Sequence, residues 1–543
     1  LSGTDPHLIT IVNMIPSNRS DEDRDDSEPN IAVNPMYPNV IAASAFTFTS
    51  NRTVCSSSPC DDLPHPSCKA PIYLSMDGGA TWHMEEVLAS NNGITNDITL
   101  AFGPSGHLYA SFLEGCFSPD NNGMKGFMTM RSIFPITDSH SPGTLVMDTV
   151  DSRFWRDSRD NRSANIFDQP WITTTTFEGS DRVFIGVNRV GDARSFRFFD
   201  GTRGSGRTAR VIVSQSGLER SFSGVEIERV RNVDKNLSAI RVAAHPTGKV
   251  YAVFYRWISG GGATGGTGHS SPFPMCDIIV VRDDKFGTQT FNQLLEGGPG
   301  SSIGKRIGSG LVPLHNSSAA DPSLRLLPGS SLGRARLVGS NLSIAVNPTT
   351  ADHVVAAWCS LDGGIYTLHS RESFDGGNTW TVLFADLMNT TNPALAVASD
   401  GKVGMLYQQL TRHDHSPGRS QEWETHFILD ENRSRGSSIR NYMLNQFPND
   451  SLPFLDTITA RLRPSLGDYV DLQAVNNTFY GVFSAFNSPV HGPASSSTPV
   501  YHREYTGRDL VGTSPERRRV GGSVDPFFFK IEPRSAASPV VRR

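Results

Sequence analysis

Carboxylates, two arginines and two aromatic residues stand at matched places along this 543-residue chain, and their types suit proton transfer on a hydroxyl-rich substrate. Asp168 sits in FDQPW with Trp171, and Asp468 sits in GDYVD beside Tyr469 and Asp471. Two carboxyl groups flanking one bond can divide the work of glycoside cleavage. One protonates the leaving oxygen while the other acts as nucleophile or base. Crowded acids raise one another's pKa, which keeps the proton donor loaded. Asp97, in NDITL, is a further candidate acid, and Glu28 and Glu114 are candidate substrate-binding positions. Trp171 offers a flat face to a sugar ring. Tyr469 suits a nucleophile, or a base that abstracts a proton in a lyase. Arg241 and Arg256 together suit a bidentate clamp on the carboxylate of a uronate or sialate. Each residue also has a purely structural use, because Asp at a strand start caps backbone amides and a buried Arg pairs with an acid.

These residues share a position because the chain repeats. One pattern recurs seven times: a polar or Pro-containing start, an apolar strand, a turn, and a second apolar strand. The copies begin at Glu28 (EPNIAVNPMYPNVIAASAF), Asn96, Asp168, Ser238 (SAIRVAAHPTGKVYAVFYRW), Ser340, Thr391 and Gly467. A repeat of about 70 residues leaves room for two more strands, hence a four-stranded antiparallel sheet that cannot bury both faces alone. Radial packing of such sheets buries them, so the expected fold is an all-β β-propeller. Seven four-stranded blades are expected, with six as the alternative, and terminal strands HLITIV and DPFFFKI closing the ring. The whole chain, 1–543, is expected to form one propeller with surface insertions near 55–70, 258–275 and 300–335. Hairpin starts (Glu28, Asp97, Asp168, Arg241, Asp468) and ends (Glu114, Arg256, Gln408, Gln409) would then surround one mouth of the central channel. His245, near a hairpin turn, reads as structural.

A second motif lies between hairpins. SMDGGATW at 75–82 and SFDGGNTW at 373–380 both fit Ser-x-Asp-x-Gly-x-Thr-Trp, and RDDKFGTQTF from Arg282 and HREYTGRDL from His502 are weaker relatives. An Asp accepts turn amides, Gly takes positive φ and the Trp packs on a neighbouring strand. On these motifs the chain resembles the sialidase-like, Asp-box (BNR) repeat superfamily of secreted propellers. That resemblance implies a carbohydrate partner, an oligosaccharide or polysaccharide with acidic sugars among the candidates, and a glycoside hydrolase with paired carboxylates. Two other readings stand beside it: a non-catalytic glycan-binding or cell-surface structural propeller, and a polysaccharide lyase with Tyr469 as base. The chain carries no Arg-Ile-Pro tripeptide, which true sialidases would carry early.

Composition narrows the setting. Lys plus Arg is 49 against Asp plus Glu at 54, so no overall positive field exists to hold nucleic acid. No apolar run is long enough to span a membrane. Sequons at Asn18, Asn51, Asn161, Asn236, Asn316, Asn341, Asn389, Asn432, Asn449 and Asn476 fit N-linked glycans and an extracellular or cell-surface location. Cys55, Cys60, Cys68 and Cys116 read as disulfide partners, and Cys276 and Cys359 as buried free thiols. The acidic run from Asp21 lacks the spacing of a calcium loop, so no metal and no cofactor are expected.

Overall fold

The computed structural model describes residues 6–16, 26–47, 69–88, 94–118, 123–133, 147–150, 166–197, 203–214, 222–227, 239–257, 275–296, 303–311, 341–411, 421–431, 438–448, 466–467, 469–487, 500–501, 504–506, 509–511 and 523–534. All seven hairpins form as antiparallel pairs. Their first strands are Asp26–Val33, Ile94–Phe102, Ile166–Phe177, Ile240–Ala244, Leu342–Asn347, Thr390–Val397 and Asp471–Val475. Each packs beside the next and the seventh returns to the first, so all seven stand around one axis in a β-propeller. Asp26–Val33 and Thr390–Val397 are buried along their whole length, because neighbouring sheets cover them on both faces. The core lies in these contacts between sheets. Ile72 and Leu74 of one sheet meet Leu100 and Phe112 of the next, for example.

Among the described residues the sheets of four or more strands number six, not one per hairpin, so the blade count is the alternative of six rather than the expected seven. The fourth and fifth hairpins run into a single nine-stranded sheet, joined by one bridge between Leu311 and Leu361. The cause is a glycine-rich strand, Lys305–Leu311 (KRIGSGL). A Cβ on Gly308 would lie 2.3 Å from Cζ2 of Trp358 in the next unit, and one on Gly310 would lie 2.7 Å from Cβ of Ser360. Only bare backbone lets the two units approach this closely. That strand falls inside the stretch 300–335, which sequence reasoning assigns to an insertion. Lys69 and Met275 likewise begin strands, and the rest of the expected insertions lies outside the described residues.

Both terminal segments close the ring. Val524–Pro533 pairs with Thr478–Phe486 on one side and with His7–Asn13 on the other, with Ile11 opposite Phe529. Buried polar groups fix this closure, since Asn13 Nδ2 donates to Asp525 at 2.7 Å and Ser523 Oγ donates to the same carboxylate at 2.8 Å.

The octapeptide turns sit between third and fourth strands, as expected. Asp77 accepts from Thr81 N at 2.9 Å and Thr81 Oγ1 at 2.6 Å, while Trp82 Nε1 donates to Gly79 O at 3.1 Å. Asp375, Thr379 and Trp380 repeat the same bonds at 2.9, 2.7 and 2.9 Å. The weak relative at Arg282 turns in a related way, with Asp283 accepting from the amides of Lys285, Gly287 and Gln289. In the relative at His502, the described strands Glu504–Thr506 and Asp509–Val511 pair as a separate two-stranded sheet, which falls in the chain between the second and third strands of the last blade.

Candidate functional site at the channel mouth

The first strands are built to aim side chains inward. Pairing skips at the same point in four of them, between Ser27 and Asn30, Asn96 and Thr99, Asp168 and Trp171, and Thr391 and Ala394. Each skip is a β-bulge, which bends a strand and re-aims the residue that follows. Glu28, Gln169 and Asn392 occupy these bulges at φ of 56°, 48° and 53°. All three precede a proline, Pro29, Pro170 or Pro393, which has no N–H to lose where the ladder breaks. Ala239 of the fourth hairpin has φ of 38° at the matching place. Two residues beyond the bulge come Asn30, Trp171 and Arg241. With Ser343 and Asp471 they line a cavity of about 270 Å³ on the axis.

Hydrogen bonds tie this ring together with one repeated move: the side chain of one unit accepts an amide of the next. Asn30 Oδ1 accepts Leu100 N at 2.6 Å, Ser343 Oγ accepts Leu395 N at 2.9 Å, and Asp471 Oδ2 accepts Ile31 N at 3.1 Å. Asp471 also accepts from Asn30 Nδ2 at 2.7 Å and from Leu472 N at 2.8 Å. Burial raises the Asp471 carboxyl to about 7, outweighing the Ile31 and Leu472 amides and the Arg241 charge, which pull it down.

Aromatic contacts cross the axis. Trp171 and Arg241 belong to the third and fourth hairpins, while Tyr469 precedes the first strand of the seventh, on the opposite side of the ring. The Arg241 guanidinium lies 4.1 Å from the Trp171 ring centre and 5.7 Å from that of Tyr469, and the two rings meet edge-to-face at 5.6 Å. Arg241 is 1% exposed, with Nη1 donating to Ile240 O at 2.9 Å. Further along the rim, Asn341 Oδ1 accepts Asn392 N at 2.8 Å, Asn392 Nδ2 donates to Gly467 O at 3.3 Å, and Gly467 at φ of 82° lies against Glu28.

The structure thus brings together Arg241, Trp171 and Tyr469, with Asp471 on the same cavity and buried Glu28 on the rim. Asp97 and Asp168 lie at their bulges by backbone position, and Glu114 pairs with Thr95 at the end of the second hairpin. The side chains of these three, and the whole of Asp468, lie outside the described residues. Arg256 does not join Arg241 as a clamp. It is not among the cavity-lining residues, and its Nη2 donates to Ile303 O at 2.8 Å. Gln408 is buried, bridging Asn392 and Ser484 O, and Gln409 donates to Met388 O. His245 is buried in its turn against Thr247. Sequence reasoning names Asp471 only as a neighbour of Asp468 and passes over Asn30. The signal is present in the aligned hairpins, where Asn30, Trp171, Arg241 and Asp471 fall in one column.

Elsewhere, Cys276 and Cys359 are free and buried, as expected, and the other cysteines fall outside the described side chains. Asn341 is 2% exposed and engaged by Asn392, so the folded chain does not present that sequon for glycosylation, whereas Asn476 lies exposed in a hairpin turn. Among the described residues, no group of three or more His, Cys, Asp or Glu is placed to hold a metal ion.

No family model matches the chain, and no curated protein matches it. Among solved structures it is similar to the α-L-arabinofuranosidase Arb93A of Fusarium graminearum, at 11% identity and a TM-score of 0.41, over 74% of this chain and 93% of that one. It is similar to the α-L-arabinanase of Penicillium chrysogenum at 13% identity and 0.40, over 74% and 93%. The leech intramolecular trans-sialidase is similar at 12% identity and 0.39, over 73% of this chain and 66% of that one.

Proposed function

We propose that this protein is an extracellular carbohydrate-active propeller that takes a glycan at the channel mouth and hydrolyses it with carboxylates from the hairpin starts. The observation that carries the reading is the Arg241, Trp171 and Tyr469 assembly, which forms a packed platform on the axis where the first strands converge. Sugar sites combine such aromatic surfaces with a few placed polar groups. Asp168 lies on this platform's own strand, three residues before Trp171, and Asp468 directly precedes Tyr469 in the sequence, which keeps both as the candidate acids. The Asp-box resemblance agrees with this reading.

Binding without catalysis is the second reading, and one observation favours it. Asp471, the acid on the cavity, is held by two backbone amides and Asn30, which is how a structural carboxylate is satisfied. Incubation with a broad glycan panel in oxygen-18 water separates the readings. Heavy oxygen in a released sugar, abolished by Asp168→Ala together with Asp468→Ala, supports hydrolysis. An ultraviolet-absorbing product without heavy oxygen establishes a lyase instead. Retention of glycans without product supports binding alone, and hydrolysis that survives both substitutions removes the acid pair.

A further inference from the structure

The strand Ile365–Ser373 carries His369, a buried side chain in a polar cluster away from the axial cavity. Its Nε2 lies 2.9 Å from Asp362 Oδ2 and 2.9 Å from Ser360 Oγ, and its Nδ1 lies 3.0 Å from Asp386 Oδ1. Ser360 Oγ donates to Asp362 Oδ1 at 2.8 Å. Serine, histidine and aspartate in this order could serve as nucleophile, base and orienting group. Ser360, however, is 1% exposed and spends its hydrogen on Asp362, so it is not presented to a substrate. Counting hydrogens gives the cluster another use. An ionised carboxylate only accepts, and a neutral imidazole has one N–H and one lone pair. With both ring nitrogens protonated, Nδ1–H serves Asp386, Nε2–H serves one Asp362 oxygen, and the Ser360 hydroxyl serves the other. With one proton gone, a ring lone pair faces a carboxylate oxygen. Nε2 faces two oxygens, one on buried Ser360, and Nδ1 faces one, so the remaining proton belongs on Nε2 and Asp386 loses its donor.

We propose that His369 is a proton-dependent clamp: doubly protonated, it holds the segment that crosses from the fifth unit into the mouth, and on losing the Nδ1 proton it releases that segment. The proposal does not rest on the carbohydrate reading. Asp386 lies in the break between Thr381–Val382 and Leu387–Met388, the two short pieces of this unit's last strand. Just beyond it, Asn389 N donates to Tyr366 O at 2.6 Å, Thr391 Oγ1 donates to Asn341 Oδ1 at 2.7 Å, and Asn392 reaches Gly467 O on the rim. The clamp thus stands at the root of one edge of the mouth. Among the described residues, the charged groups facing His369 are Asp362, Asp386 and, behind Asp386, Arg371 of its own strand. Arg371 Nη1 is 3.8 Å from Asp386 and donates to Ser370 O, so it does not replace the lost N–H. Trp358 stacks on the imidazole, and the glycine-rich strand brings Gly308 and Gly310 to this face while its Arg306 turns to Asp277 and Glu296. Asp386 is 47% exposed, so solvent can take it once the ring does not.

The test follows the imidazole and the segment together over one pH series on the whole chain. Nitrogen-15 spectra of labelled histidine report each ring nitrogen of His369, assigned by its loss in His369→Gln or its shift in Asp386→Asn. Hydrogen exchange of peptides spanning 383–391, corrected for the pH dependence of intrinsic exchange, reports local opening. Above the measured His369 midpoint, Nδ1 is expected to be bare, Nε2 to keep its hydrogen, and protection of 383–391 to fall at least tenfold. His369→Gln is expected to show no such fall. In Asp386→Asn the amide can donate to the bare nitrogen as well as accept from the protonated one. The ring should therefore still titrate while the fall shrinks to less than twofold, and this variant carries the test if His369→Gln does not fold. Unchanged protection across the midpoint, an equal fall in Asp386→Asn, a neutral ring that keeps its hydrogen on Nδ1, or a ring that never takes its second hydrogen in the folded chain overturns the clamp.

Discussion

Arg241 lies over the face of Trp171, its guanidinium carbon 4.1 Å from the ring centre, although the two residues come from neighbouring hairpins 70 positions apart in the chain. A desolvated cation on an indole face contributes about 2 kcal/mol, and loss of the indole would also leave a hole beside a buried charge. Trp171→Ala is therefore expected to lower unfolding stability by about 3 kcal/mol and to abolish ligand retention. Trp171→Phe, which keeps an aromatic face, is expected to recover most of the stability. Urea unfolding of the three proteins checks this, and equal losses for Ala and Phe would mean that the stacking contributes nothing.

The Asp471 carboxyl provides a pH test. Its folded-state value, about 7, lies above that of an unfolded aspartate, so the folded chain holds this proton more tightly. The stability gained from that proton is fully present below about pH 4 and is lost as pH rises toward 7, a difference of at most about 4 kcal/mol. Asp471→Asn removes the titration while keeping an acceptor for Asn30 and Ile31. Urea midpoints at pH 4.5 and 7.5 are expected to differ less in the variant than in the parent. Parallel shifts in both proteins would show that Asp471 does not titrate in this window.

The glycine-rich strand that joins the fourth and fifth units is open to direct substitution. Gly308→Val would drive a side chain into the indole of Trp358, which is itself stacked on His369. Overpacking of this kind costs roughly 1–3 kcal/mol. We expect a lower urea midpoint together with a changed near-ultraviolet dichroism signal from the displaced indole. An unchanged spectrum and midpoint would show that the two units do not need this close approach.

Much of this architecture is readable from the chain because its physical causes are local. Alternating apolar residues around Pro, Asn and Gly turns specify hairpins, and both Ser-x-Asp-Gly-Gly-x-Thr-Trp turns carry their own hydrogen-bond partners. The merging of two units into one sheet is not readable in the same way. It depends on what Gly308 and Gly310 meet some 50 residues later in the chain, and a KRIGSGL segment beside Gly- and Ser-rich sequence looks like a surface loop. Hairpin alignment puts Arg241 on the axis, but spacing alone does not reveal its neighbours. Tyr469 reaches it from across the ring, a relation that exists only after closure.

The pairing of Val524–Pro533 with His7–Asn13 has a consequence for how the protein is made. The apolar segment HLITIV emerges from the ribosome long before the strand it pairs with, which follows only after Asp525 and its neighbours have been added. At ~5–20 residues per second, that partner arrives on the order of a minute later. Throughout this interval a β-prone sequence has no strand partner on either side, the condition under which strands pair with the wrong chain. Chaperones that shield such a segment are therefore expected to raise the yield of the folded protein in heterologous expression.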